Sequence, residues 1–168
     1  MGDPLAMLTD SEKAWLKDQV ILVRTNFCAD GYLMGVGIAV TPTERLIIPL
    51  RWDSEGEKEA VALLLKNELA RAGALIVFTA FEAYMKQFET VSEARSHYGE
   101  PVEKMPGRIE VIHMAVETRA AHYHGYAEVR RSPGRVTLEP TRWHAAHDSE
   151  GRWANLLPRT RGVREGVN

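Results

Sequence analysis

A chain of 168 residues, 45% hydrophobic and 26% charged, suits one domain with a core of its own, which excludes a globally disordered chain. Lys and Arg number 21 against 23 Asp and Glu, a formal net charge of −2, so no global field draws the chain to nucleic acid or anionic lipid. Cys28 is the only cysteine, which excludes an intrachain disulfide and a thiolate-rich zinc site.

Met1 to Met7 has neither the basic stretch nor the apolar run of a secretory signal, and runs such as Ala74 to Phe78 are too short to span a bilayer. A cytoplasmic chain without membrane contact is the expectation. Thr9 and Glu12 have capping-box spacing, and Leu16, Val20, Val23 and Phe27 follow as one helical stripe. They predict a helix from about Asp10 to about Phe27, closed by Ala29-Asp30-Gly31, although Val20 to Val23 alone also fits a strand. Tyr32 to Val40 and Arg45 to Trp52 form a hairpin around Thr41-Pro42-Thr43-Glu44. Its first strand has a large face (Tyr32, Met34, Val36, Ile38, Val40) and a small one (Leu33, Gly35, Gly37, Ala39) that a helix can approach closely. Gly35-Val36-Gly37 lacks the third glycine that opens a helix in a dinucleotide fingerprint, so no such cofactor is expected there.

Ser54 and Glu57 repeat the capping spacing; Val61, Leu64, Leu65, Glu68, Leu69 and Ala72 trace a stripe, and Gly73 closes a helix over Asp53 to Ala72. The unbroken apolar run Ala74 to Thr79 predicts a strand covered on both faces. Phe81 to Phe88 reads as a short helix, with Glu82, Lys86, Glu89 and Glu93 as a solvated face, and Glu89 to Pro106 as a long polar loop. Ala74 to Tyr84, followed by Arg108-Ile109-Glu110-Val111, resembles a pattern in uncharacterised small proteins of bacteria and their phages. That resemblance implies no activity. Three strands follow: Arg108 to Thr118, His122 to Arg131 and Arg135 to about Trp143, with Ser132-Pro133-Gly134 as a turn, which makes an antiparallel meander. From Asp148 apolar residues thin out, and Arg159, Arg161 and Arg164 sit among glycines. Residues 1–155 are therefore expected as a single α+β domain and 156–168 as a flexible, Arg-containing tail. The expected fold is a mostly antiparallel sheet, made of the hairpin, one buried strand and the meander, with two main helices packed on one face.

Five of the six histidines lie between His113 and His147. If the first meander hairpin turns through Thr118 to Ala121, period-two alternation puts His113, Glu117, His122 and His124 on one face. With Pro133-Gly134 as the next turn, Trp143 joins that face opposite His124 and His144 points away. The opposite face carries Ile112, Met114, Val116 and Tyr123, so it is the expected core and the histidine face the accessible one. Imidazoles with a carboxylate suit zinc or non-haem iron, although no spacing matches an established metal motif. A surface or interface role for the same histidines is the plainer reading. His144 and His147 would share a face only in a helix. Cys28 lies near Asp30 but in an apolar context that fits a small packed side chain.

No Ser-His-Asp elbow, phosphate-binding loop or calcium loop is present. Trp52, Trp143 and Trp153 fall near strand ends, where they serve either as anchors for a partner or as lids on the core. The function expected is a non-catalytic interaction protein without a cofactor, self-associating or binding another protein through the meander sheet. The alternative is a metal-dependent enzyme or metal sensor using His113, Glu117, His122 and His124. Nucleic-acid binding through the C-terminal arginines is the weakest of the readings.

Overall fold

In the computed structural model, which describes residues 2–146 and 153–157, capping chemistry sets the ends of both long helices. Helix α1 (Asp10–Asp30) starts at Thr9: its hydroxyl accepts from the Glu12 amide while the Glu12 carboxylate accepts from the Thr9 amide. Gly31 stops it in left-handed backbone, φ 76°, and donates to the Phe27 carbonyl. Leu16, Val23 and Phe27 of the expected stripe are buried, joined by Gln19.

Strands β1 (Gly35–Val40) and β2 (Arg45–Leu50) form the expected hairpin, closed by the Thr41 amide donating to the Glu44 carbonyl. Helix α2 (Glu55–Ala72) is capped by Ser54 and ends at Gly73, φ 66°. The Glu57 carboxylate reaches back to the amide of Asp53, not of Ser54, so the second capping box is only half formed. The buried residues of α2 are Ala62, Leu65 and Leu69, while Leu64 of the expected stripe faces solvent. The helix settles on Leu65 because Gly37 of β1 leaves room for that side chain to pack directly on the strand.

Strand β3 (Ile76–Met85) corrects the expected helix at Phe81 to Phe88. Strand β4 (Ile109–Thr118) pairs with it residue for residue, from Ile76 opposite Thr118 to Met85 opposite Ile109, and this ladder holds Phe81 to Met85 extended. The supposed solvated face is dispersed: Glu82 accepts from the Leu33 amide, and Lys86 donates to the Pro106 carbonyl. The following loop holds a short helix α3 (Val91–Ser96) and a 3-10 turn at Val102–Lys104. Strands β5 (His122–Ser132), β6 (Arg135–Leu138) and β7 (Arg142–Ala145) complete the sheet.

The strand order is β2-β1-β3-β4-β5-β6, every neighbouring pair antiparallel, with β7 continuing alongside β5. The sheet curls into a half-barrel, and the class is α+β. Among the described residues, no helix is long and apolar enough to cross a membrane.

The two long helices lie on opposite faces, not on one. Leu16, Val23 and Phe27 of α1 pack with Ile38, Phe78, Ile112, Met114 and Tyr123 on the first face. Leu65 and Leu69 of α2 pack with Ala39, Val77 and Phe81 on the second. The unbroken burial of Ile76 to Phe81 requires this arrangement, because consecutive strand residues point to opposite sides and both sides need covering.

A Cβ added at Gly35 would lie 2.6 Å from the Leu50 carbonyl oxygen, a backbone atom. Gly35→Ala therefore forces β1 and β2 apart and is expected to cost about 1–3 kcal/mol in urea unfolding. Gly37→Ala, whose Cβ would meet Leu65 at an ordinary 3.5 Å, is the control and should cost less.

Candidate functional site

The β4–β5 turn decides which side chains meet. The Thr118 amide donates to the Ala121 carbonyl, and the Thr118 hydroxyl accepts from the amides of Ala120 and Ala121. This tight closure sets Glu117 opposite His122, Ala115 opposite His124 and His113 opposite Tyr126, the register the sequence predicts. With β3 added, three rows cross the second face: Val77, Glu117, His122; Thr79, Ala115, His124; Phe81, His113, Tyr126.

His113, His122 and His124 thus form a contiguous imidazole row. His113 Nε2 and His124 Nδ1 share a hydrogen bond of 3.1 Å, and the His122 and His124 ring centroids are 4.6 Å apart. His113 also lies against Phe81, centroid to centroid 4.9 Å. Burial pushes the His113 imidazole down to about 4, helped by the charges His124 and His122 would carry, and burial lowers His124 as well. Neutral imidazoles follow near neutral pH, which suits a shared proton between the pair.

Glu117 is 1% exposed, and its two oxygens accept from the main-chain amides of Leu156 and Leu157 at 3.0 and 2.9 Å. The four residues expected as metal ligands therefore share a face, but the carboxylate is turned to the backbone of residues 156 and 157. Among the described residues, no three His, Cys, Asp or Glu side chains form a group that could hold a metal ion.

Three expectations change here. The histidine face is covered, with Glu117 and His122 buried, because Trp153, Leu156 and Leu157 return over it. Leu156 and Leu157, placed by the sequence at the start of a tail, belong to the second core, whereas 158–168, with Arg159, Arg161 and Arg164, lie outside the described residues. Finally, β7 pairs His144 with His124, while Trp143 packs over Gly125 towards the first face. The Pro133-Gly134 register holds through Leu138 opposite Val129, then slips by one residue across Glu139 to Thr141. Pro140 has no amide to offer a ladder there, and a one-residue slip exchanges the faces. His144 instead stacks on Tyr126, 5.5 Å between centroids. His147 lies outside the described residues.

Of the tryptophans, Trp52 and Trp153 close around Phe81, at 5.6 and 5.4 Å between centroids, and Trp143 is half-buried. Cys28 is exposed on α1, on the opposite side of the sheet from the imidazole row.

A second feature has no counterpart in the sequence reading. The C-terminal half of α1 and the β1–β2 hairpin flank an apolar groove of roughly 360 Å³, lined by Leu22, Tyr32, Met34, Ile47 and Pro49 among others. Tyr32 is 63% and Ile47 66% exposed. Alternation puts Ile47 and Pro49 on the α1 side of the sheet, but α1 meets the edge strand at Arg45, through Gln19, and leaves Ile47 and Pro49 uncovered. The sequence signal was Arg45, Ile47, Pro49 and Arg51 at every second position along β2 and just past its end, which marks an apolar stripe bounded by charge. Compared with protein-family models, curated proteins and solved structures, the chain matches none.

Proposed function

We propose that the protein is a non-catalytic interaction protein that works as a homodimer, joined through the groove between α1 and the hairpin. What supports this is the coincidence, on one exposed face, of an apolar floor with walls of opposite charge. Asp18, Leu22, Asn26 and Asp30 recur every four residues along α1, and Asp18 and Asp30 are exposed. On the other wall Arg45 donates to Gln19 at 2.6 Å, near the Asp18 end, and Arg51 reaches the Met34 sulfur at 3.1 Å, beside the groove that Asp30 also lines. A two-fold axis along the groove sets the α1 wall of each copy against the β2 wall of the other. Aspartates then meet arginines at both ends, while Leu22 of each copy covers Ile47 of the other. An axis across the groove would oppose aspartate to aspartate, so charge selects the first arrangement.

The sheet edges are poorer docking sites. Because Thr41 bonds to Glu44, ladder alternation turns the backbone nitrogens of Arg45, Ile47 and residue 49 outward, and residue 49 is proline. At the other edge, β6 and β7 are interrupted at Glu139 to Thr141, and Arg24 of α1 already takes the Leu138 and Glu139 carbonyls. Edge pairing of the meander therefore has less to work with than the groove face has.

Sedimentation velocity over a wide concentration range tests the reading. Wild-type protein should dimerise, and Ile47→Lys, a change at an exposed position that leaves the monomer folded, should raise the dimer dissociation constant by roughly thirtyfold or more, as about 2 kcal/mol at an interface centre requires. A wild-type chain that stays monomeric throughout would refute the proposal.

A further inference from the structure

Residues 153–157, Trp-Ala-Asn-Leu-Leu, lie on the second face without belonging to a helix or strand. They are held as a bound peptide is held. Glu117 accepts from two successive main-chain amides, those of Leu156 and Leu157, an interaction that reads backbone irrespective of side chain. Asn155, in left-handed backbone at φ 54°, sets the turn that precedes those amides, and Asn is among the residues that adopt this conformation most readily. Trp153 then fills a recess against Trp52, 5.3 Å, and Phe81, 5.4 Å, while Leu156 and Leu157 are buried beside the α2 face. The seat is imperfect: the Trp153 indole N–H is buried with no acceptor among the described residues.

We propose that the second face is a peptide-binding cleft for a Trp-x-x-Leu-Leu segment that turns at its third residue. The chain's own residues 153–157 fill it in cis, and the same segment of a second copy fits it in trans. The cleft supplies a carboxylate for two consecutive amides and apolar recesses for the three anchors, so release of the segment leaves Glu117 facing two lost hydrogen bonds and demands a substitute of the same form. This rests on the Glu117 geometry and the aromatic recess, and is independent of the groove face.

The test uses the full chain and a labelled peptide of residues 151–159, Gly-Arg-Trp-Ala-Asn-Leu-Leu-Pro-Arg. In Leu157→Asp, whose own segment cannot seat, fluorescence anisotropy should show the peptide bound at least tenfold more tightly than by wild type. The peptide carrying the same Leu→Asp change should not bind. A Leu157→Asp chain with wild-type circular dichroism and no peptide binding would overturn the proposal. If that variant fails to fold, hydrogen exchange on the wild type decides. Leu156 and Leu157 amides exchanging well ahead of Val116 and Tyr123 in β4 and β5 support a releasable segment, and exchange at the same rate makes the segment an inseparable part of the core.

Discussion

Replacing Glu117 by alanine is expected to lower the unfolding free energy by about 2–5 kcal/mol, since each of two buried amides left without an acceptor costs about 1–3 kcal/mol. The side chain is 1% exposed and its oxygens serve Leu156 and Leu157 at 3.0 and 2.9 Å, so water has no ready route to take its place. Against a total stability of about 5–15 kcal/mol for an ordinary domain, that is a large fraction. Glu117→Gln keeps one acceptor oxygen and should fall between alanine and wild type. Urea unfolding followed by circular dichroism measures both, and tryptophan fluorescence should report the Trp153 environment changing in the alanine variant before the sheet melts. A loss below about 1 kcal/mol for Glu117→Ala would show that the two amides find other partners.

The second large effect is on pH. His113 sits at about 4 in the folded chain against an ordinary 6.5, because burial penalises the imidazolium and the neighbouring His124 and His122 repel it. The folded state therefore binds fewer protons than the unfolded one between those values. Stability is fully present above about pH 6.5 and is lost as pH falls towards 4. The loss is about 2 kcal/mol by pH 5 and roughly 3 kcal/mol once the window is crossed, at 1.36 kcal/mol per unit. His124 is lowered too, so it adds in the same direction. The groups that share this face include Glu117 on β4, His122, Tyr126, Glu128 and Arg130 on β5, and Arg142 and His144 on β7, while β3 contributes only uncharged side chains there. Unfolding curves at pH 7.5 and 5 should separate by that amount for wild type and by much less for His113→Phe. Equal separation in the two proteins would place the acid sensitivity elsewhere.

What the sequence made legible follows closely from local chemistry. Thr9 with Glu12, Ser54, Gly31 and Gly73 mark the helix ends because a cap is satisfied within three or four residues of itself. The Thr118–Ala121 turn fixes a two-residue period, so the rows of Glu117 with His122 and Ala115 with His124 could be counted out from it. What stayed hidden depends on partners far along the chain. Glu82, Lys86, Glu89 and Glu93 have helical spacing, and only the ladder with β4 makes Phe81 to Met85 a strand. The face each helix covers depends on which side of β1 and β3 is left open, which no period within α1 or α2 encodes. One unpaired step near Pro140 exchanged Trp143 and His144, since parity propagates to everything beyond it. Trp153, Leu156 and Leu157 look sparse as a segment, but three anchors suffice when a buried carboxylate waits for the backbone between them.

Helix α1 docks on residues far along the chain, which orders the steps by which the chain can fold as it is made. Arg24 donates to the carbonyls of Leu138 and Glu139, Arg131 donates to that of Gly31, and the Tyr123 hydroxyl accepts from the Met7 amide, each a separation of a hundred residues or more. A ribosome delivers α1 first and its docking partners last. During synthesis the apolar stripe of Leu16, Val23 and Phe27 has only part of its seat, Ile38 of β1 and then Phe78 of β3, until Ile112 and Met114 of β4 and Tyr123 of β5 have left the exit tunnel. The β3 to β6 ribbon, by contrast, joins strands that are neighbours in sequence and can close as they emerge. Assembly is thus expected to run from the later strands back to the first helix. Chaperones that bind exposed apolar helices would find their opening early in translation.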